Sequence, residues 1–300
     1  MLLIGGTVPQ KDMPLVAGYV KREGDMLVAG GQSFHRIQGT GAMISAALTA
    51  TEHLGVESPY VVVAGDIGKG DGTRLMYRYL TQNIASLKPG FVTLHYSQPF
   101  MNLLTHFVNE VDKMENPPFL MADAGAMYAA KGAGQAKKFG IFTPDPSEIA
   151  FLADPNATHP AYIANHLFES GIEDVLDLIQ SAYELNSAAA VMVVKGERDY
   201  IAKNGEILAT VAEPNVPVLE AIGGTGDTIT GLVSAFASAG VDPADAGILA
   251  AKCNRMAGKM VNPTPATKIS EIVDSFPAVF EQYLCEWSNI CTGASREQER

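Results

Sequence analysis

The feature that most limits how this chain can fold is the alternation of short apolar runs with stretches of helical spacing. Tyr60–Ala64, Phe91–His95, Phe119–Ala122 and Val191–Val194 are largely apolar at consecutive positions rather than at every second one. A strand that is apolar on both faces must be covered on both, as a parallel strand beneath two layers of helices is. Met26–Ala29 and Gly140–Phe142 are read into the same set. Between the runs lie Gly41–Leu54, with Ile44, Leu48 and Thr51 on one side, Gly72–Ile84, with Leu75, Tyr79 and Leu80, and Met101–Val111, with Leu104, Phe107 and Val111. This rhythm predicts βαβ units around a central, mostly parallel sheet.

One segment breaks the rhythm. Tyr200–Ala202 and Ile207–Thr210 flank Lys203-Asn204-Gly205-Glu206, and Asn-Gly between β-prone residues signals an antiparallel hairpin, here near residues 200–210. No repeat or linker divides the chain, so residues 1–300 are expected to form a single domain with a frayed polar tail at 292–300. The helical stretch Ala244–Met260 reads as packing and leaves a homo-oligomer open.

Charge narrows the choice of partners. A net charge of -12 disfavours a nucleic-acid backbone or an anionic membrane surface. The longest apolar run, Ala188 to Val194, is too short to span a bilayer, and the start of the chain lacks the pattern of a signal peptide. Cys253, Cys285 and Cys291 are odd in number and lack metal-like spacing, so reduced thiols and a cytoplasmic location are expected.

Chemistry concentrates in residues 222–232, Ile-Gly-Gly-Thr-Gly-Asp-Thr-Ile-Thr-Gly-Leu. Glycines let successive N–H groups converge, and a helix opening there adds its positive end. Gly224, Thr225 and Gly226 are therefore candidates for gripping an anion. Asp227 on the rim is a candidate base, an arrangement suited to phosphoryl transfer. The plainer alternative is a loop-to-helix turn with Asp227 as a cap. Four further segments carry similar pairs of readings. The glycines at 30–31 and 39–41, including Gly31 and Gly41, permit close approach of a substrate or simply make turns. Asp123 at a strand end points into a crevice or caps a helix. Asp145 and Glu148, in Thr-Pro-Asp-Pro-Ser-Glu, order the water shell of Mg²⁺ or start a helix. Lys195 offers a point charge to a phosphate or is merely solvated. The six histidines are scattered, and His95 is expected to be a hydrogen-bonded structural residue that could also touch substrate.

The order of these segments resembles the ribokinase superfamily, from about Met26 to the end of the helix after Asp227. The wording is most similar to the ATP- or ADP-dependent NAD(P)H-hydrate dehydratases. Leu27-Val-Ala-Gly-Gly31, Asp123-Ala-Gly-Ala-Met127, Thr143-Pro-Asp-Pro-Ser-Glu148, Val194-Lys-Gly196 and Gly223-Gly-Thr-Gly-Asp227 carry the likeness. The resemblance implies a ribokinase-like three-layer α/β/α sandwich, ATP or ADP with Mg²⁺ as cofactors, and a small-molecule substrate. It implies Asp227 as base, Lys195 on phosphate, Glu148 with Asp145 placing the metal through water, and Gly31, Gly41 and Asp123 lining the acceptor pocket. Three departures stand on the acceptor side. Gly125 replaces the second Asp of the family's alanine motif, Asp145 replaces a His, and Leu94-His-Tyr-Ser-Gln-Pro99 replaces a Gly-Pro-Gly loop. Thr-Pro-Asp-x-x-Glu is also similar to vitamin-precursor kinases, and Ala64-Gly-Asp-Ile-Gly-Lys-Gly-Asp-Gly72 to a sugar-kinase segment. Expected functions are thus phosphorylation and elimination on a hydrated nicotinamide, a vitamin-precursor or carbohydrate kinase, or a non-catalytic nucleotide- or metabolite-binding protein.

Overall fold

The computed structural model describes residues 1–157, 174–288 and 290, so the expected frayed tail lies outside the described residues. A nine-stranded sheet organises them. Its strands are β1 (Leu2–Val8), β2 (Val16–Tyr19), β6 (Tyr60–Gly65), β7 (Phe91–His95), β8 (Phe119–Ala122), β9 (Ile141–Phe142), β10 (Val191–Val194), β11 (Asp199–Lys203) and β12 (Glu206–Val211). Their spatial order is β12-β11-β10-β9-β8-β7-β1-β6-β2. The six inner strands, β10 to β6, run parallel, while β2, β11 and β12 pair antiparallel at the edges.

Consecutive apolar residues feed two separate cores. Leu2 and Ile4, Val61 and Val63, and Met121 face one side with helices Thr40–Leu54, Thr225–Ser238, Pro243–Val261 and Ile269–Val279. Leu3, Val62, Leu120 and Ala122 face the other with helices Asp71–Leu87, Met101–Asp112, Gly125–Gly132, Pro146–Ala153 and Val175–Glu184. The result is the expected three-layer α/β/α sandwich of ribokinase-like type. The hairpin is also present, with Asn204 and Gly205 at φ of 52° and 91° in its turn. Leu75, expected on the buried side of its helix, is exposed, and Met76, Tyr77, Leu80 and Ile84 form that helix's buried face.

Two features depart from the sequence reading. Met26–Ala29 is not a strand of the main sheet but β4 of a small antiparallel sheet with β3 (Lys21–Glu23) and β5 (Gln32–His35). Tight turns at Gly24 and at Gly30-Gly31, all with positive φ, flank it on both sides and can join only antiparallel neighbours. Buried Arg36 and surface Arg22 both pair with Asp274, which fastens this small sheet to helix Ile269–Val279. The second departure is β1, a central strand with two glycines that the apolar-run pattern passes over. A Cβ at Gly6 would lie 2.7 Å from both the His95 carbonyl oxygen and Thr40, so glycine is what lets helix Thr40–Leu54 sit over the strand end.

Among the described residues no helix is long and apolar enough to cross a membrane. Cys253 is a buried free thiol, but Cys285 is disulfide-bonded, which corrects the expectation of three reduced cysteines.

Helices Thr40–Leu54 and Thr225–Ser238 pack at Gly231, where a Cβ would come within 2.2 Å of the Met43 carbonyl oxygen. Backbone cannot yield as a flexible side chain does, so Gly231→Ala should destabilise the fold by about 2 kcal/mol. An unchanged denaturant midpoint in equilibrium unfolding would contradict this packing.

Candidate active site

In parallel sheets ligands bind beyond the carboxyl ends of the strands, where strand order reverses. Here β1 is followed in sequence by β6 on one side and later by β7 on the other. His95 ends β7, Asp123 follows β8, Lys195 follows β10, and Asp227 lies in the first turn of helix Thr225–Ser238. The fold therefore brings these four side chains together.

The four form a buried charge cluster. Lys195 Nζ donates to both oxygens of Asp123, at 3.1 and 2.9 Å. Thr230 Oγ1 donates to Asp123 Oδ2 at 2.5 Å and stands 3.0 Å from Thr143 Oγ1. His95 Nε2 lies 3.2 Å from Asp227 Oδ1 and 3.5 Å from Asp123 Oδ2, pointing squarely at neither, while Nδ1 meets Thr40 Oγ1 at 3.0 Å. The Gly39 amide donates to Asp227 Oδ2 at 2.8 Å.

Charge partners set the protonation states. Burial opposes a charge on His95, but Asp123 and Asp227 outweigh it and push the imidazole pKa up to about 9. Burial would raise Asp123, yet Lys195 and His95 hold its carboxyl well below the usual range. Burial would lower Lys195, and Asp123 with Glu148 instead keep it above its ordinary value. Ligand atoms of His95, Asp123 and Asp227 lie within 4.8 Å of one another. Two carboxylates at such a spacing repel by on the order of 3 kcal/mol at an effective dielectric near 20. A metal ion could bridge them, but Lys195 and the imidazolium already supply the countercharge.

Two cavities meet at this cluster. The larger, about 500 Å³, is lined by Asp145, Glu148, Lys195, Thr225, Gly226 and Asn254 among others. The smaller, about 430 Å³, is lined by Thr7, Gln38, Thr40, Asp66, Ser97 and Gln98 among others. Asp227, Gly224 and Tyr96 line both. Gly224 holds φ of 105°, a left-handed turn suited to glycine, and no side chain caps the helix after it. The first amides of that helix consequently have no partner within it. Asn254, on the buried side of helix Pro243–Val261, fastens the turn: Nδ2 donates to the Thr225 carbonyl at 3.2 Å, and Thr228 Oγ1 donates to Oδ1 at 2.7 Å.

Asp145 and Glu148 make a capping box for helix Pro146–Ala153. Asp145 Oδ1 accepts from Glu148 N, and Glu148 Oε2 accepts from Asp145 N, each at 2.8 Å. The box leaves a second oxygen of each carboxylate outside it. Burial first, then Asp123 and Asp145, push the Glu148 carboxyl up to about 8. A carboxyl pair on a cavity wall with uncompensated negative potential fits a divalent cation.

Several expected site residues are placed otherwise. Gly31 lies in the β4–β5 turn and lines neither cavity. Gly41 lies in the first turn of helix Thr40–Leu54, where a Cβ would meet the His35 carbonyl at 2.2 Å, so it serves packing. Asp123, expected on the acceptor wall, is 2% exposed, belongs to the larger cavity and is bound to Lys195. Lys195, expected to meet phosphate as a lone charge, is thereby already paired. His95, expected to be structural or to touch substrate, stands instead beside the site carboxylates Asp123 and Asp227. One contributor, Arg255, escaped the sequence reading. Arg255 binds Asp199 at 2.7 Å and the carbonyls of Gly196, Glu197 and Ala212, shaping the rim of the larger cavity.

Two of the three departures, Gly125 and the 94–99 loop, are coupled in space, while the third, Asp145, lines the larger cavity instead. A Cβ at Gly125 would lie 1.9 Å from the Ser97 carbonyl oxygen, so the 94–99 loop occupies the volume a side chain at 125 would need. Tyr96 in that loop takes φ of 31° and Ala124 φ of 50°. Left-handed backbone in non-glycine residues costs on the order of 1–3 kcal/mol each and marks functional sites.

Residues 98–275 match the family model Carb_kinase, described as NAD(P)H-hydrate dehydratase. The chain belongs to this family. An uncharacterized protein of Methanocaldococcus jannaschii, MJ1337, is 37% identical over 242 residues, 81% of this chain and 100% of that protein. The bifunctional NAD(P)H-hydrate repair enzyme Nnr of Pyrobaculum aerophilum is 28% identical over 172 residues, 56% of this chain and 30% of that enzyme. The ADP/ATP-dependent NAD(P)H-hydrate dehydratase of Bacillus subtilis, co-crystallised with ATP/Mg²⁺ and soaked with CoA, superposes with a TM-score of 0.54 at 18% identity, covering 94% of this chain and 90% of that one. Phosphofructokinase-2 of Escherichia coli superposes with a TM-score of 0.55 at 12% identity, covering 93% and 98%. At these identities the structural likeness is one of fold.

The Lys195–Asp123 pair predicts a stability signature. Lys195→Met leaves a buried carboxylate uncompensated and should cost about 3 kcal/mol, while Lys195→Met with Asp123→Leu should recover much of it. Denaturant unfolding of the single and double variants tests this, and additive losses would argue against a direct pair. The cation fit makes a second prediction. Glu148 is largely protonated at pH 7, and a bound cation favours the carboxylate, so Mg²⁺ binding should release a proton and strengthen as pH rises through about 8. Calorimetry in buffers of different ionisation heat reads that release, which Glu148→Gln should abolish. A release retained by Glu148→Gln assigns it elsewhere.

Proposed function

We propose that the chain catalyses Mg²⁺–ATP- or ADP-dependent phosphoryl transfer to a hydroxyl of a small molecule, with a hydrated reduced nicotinamide as the acceptor. One observation carries the reading: Asp227 stands where the two cavities meet, beside the uncapped first turn of helix Thr225–Ser238. The nucleotide's terminal phosphate would lie in the larger cavity against the amides of Gly224, Thr225 and Gly226, with Lys195 nearby. Asp145 and Glu148 would hold Mg²⁺ through its waters, and the ion would neutralise phosphate charge. In the smaller cavity Asp227 takes the proton of the acceptor hydroxyl as its oxygen bonds to phosphorus and the nucleotide leaves. The phosphate then departs with the former hydroxyl oxygen while the neighbouring ring carbon gives up a proton to solvent, and this elimination restores the ring's double bond. Family membership and the fold-relative crystallised with ATP and Mg²⁺ support this reading.

A second reading, a kinase for a small uncharged alcohol, is favoured by the walls of the smaller cavity. Among the described residues no lysine or arginine lines it. Its other carboxylate, Asp66, is occupied by its own loop, with Oδ1 accepting from the amides of Gly68, Lys69 and Gly70 and Oδ2 from Thr73. Gln38, Ser97, Gln98 and the threonines suit neutral hydroxyls better than the phosphates of a dinucleotide.

Incubation with Mg²⁺–ATP and hydrated NADH separates the two. Recovery of reduced-nicotinamide absorbance supports dehydration, and a stable phosphorylated product from a neutral alcohol supports the kinase. ATP that stabilises the fold without being turned over by either substrate would instead indicate a binding protein. On either catalytic reading, Asp227→Asn should lower turnover by ~10²–10⁴ while leaving nucleotide affinity nearly unchanged. Turnover equal to the parent protein would remove Asp227 from the reaction.

A further inference from the structure

We propose that His95 is a positioning residue for this transfer: a doubly protonated imidazole wedged between Asp123 and Asp227, it fixes the Asp227 carboxylate where the two cavities meet. The proposal rests on Asp227 acting as the base. His95 is fully buried and lines neither cavity, so it acts through Asp227 and not on substrate.

Geometry carries the argument. Asp227 Oδ2 accepts from the Gly39 amide at 2.8 Å, and Oδ1 lies 3.2 Å from His95 Nε2. His95 Nδ1 is in turn anchored 3.0 Å from Thr40 Oγ1, and Thr40 follows Gly39 directly. Asp227, Gly39, Thr40 and His95 thus close a ring of contacts: Gly39 holds one carboxylate oxygen, and His95, anchored on the adjacent Thr40, stands beside the other. The charge count agrees. Lys195 answers Asp123, and His95 is the cation beside Asp227. With a charged imidazole the buried cluster is neutral, whereas a neutral ring would leave a net negative charge out of water.

The groups facing the ring are Asp123 after β8, Asp227 on helix Thr225–Ser238, Thr40 on helix Thr40–Leu54 and the edge-on ring of Tyr96, with Lys195 beyond Asp123. The imidazole should stay charged until the pH passes about 9. A brace that must be cationic loses activity as pH rises through that value. A histidine that relays protons as a neutral base would instead be inactive below it.

Three measurements test the proposal. Nitrogen-15 NMR of the parent protein at pH 7.5 should show both ring nitrogens of His95 protonated, and a neutral ring overturns the proposal. A crystal structure of His95→Gln, which keeps an amide donor without the charge, should show the Asp227 carboxylate drawn away from the Gly39 amide, and an unmoved carboxylate overturns it. Neither readout needs a substrate, so both stand if the phosphoryl-transfer reading fails. With hydrated NADH or whichever alcohol is turned over, His95→Gln should lower kcat by ~10²-fold, leave KM for ATP unchanged and lack the alkaline limb near pH 9. Parental kcat with an intact alkaline limb overturns the role. If His95→Gln does not fold, the NMR result and the pH profile of the parent protein decide.

Discussion

Two carboxylates and two cations share one small buried volume, and much of the architecture follows from keeping that volume neutral. Asp123, Asp227, Lys195 and His95 come from the ends of three parallel strands and the start of a helix on one face of the sheet. Any one of these charges left alone out of water costs several kcal/mol. The ends of β7, β8 and β10 converge on helix Thr225–Ser238, where Thr40 meets His95 Nδ1 and Thr230, itself beside Thr143, donates to Asp123. The two cavities open around this cluster because the strands stop there. Stability and chemistry thus draw on the same contacts.

The acceptor side shows how local changes compensate. The 94–99 loop passes so close to Gly125 that a side chain there would collide with the Ser97 carbonyl. Tyr96 in the same loop accepts an unfavourable backbone conformation and leaves its ring half exposed between the cavities. A ring in that position shapes the space where the two cavities meet, across from the glycine turn at Gly223–Gly226. Loop and turn come together at a single carboxylate, Asp227.

Much of this was readable in the amino-acid sequence. Runs apolar on both faces marked β6, β7, β8 and β10, and Asn204-Gly205 marked the hairpin, because burial and turn chemistry act locally. The central strand β1 was not readable, since Gly5 answers to Leu80 and Leu94 and Gly6 to Thr40 and His95, all distant in sequence. Met26–Ala29 was misplaced because four apolar residues look alike in either sheet, and only the flanking turns decide. Asp227 with its glycines announced itself as chemistry. His95 and Arg255 did not, because a lone histidine or arginine acquires meaning from its partners, and those partners arrive only through tertiary contacts.

The hydrogen bond from Gly39 to Asp227 joins residues 188 positions apart, and Lys195 meets Asp123 across 72. Contacts of such long range form late, since loop closure must precede them. A chain folded only as far as Lys195 would hold both partners of the Lys195–Asp123 pair yet lack Asp227, the carboxylate beside Gly39 and His95. The charge cluster is therefore completed last, by helix Thr225–Ser238.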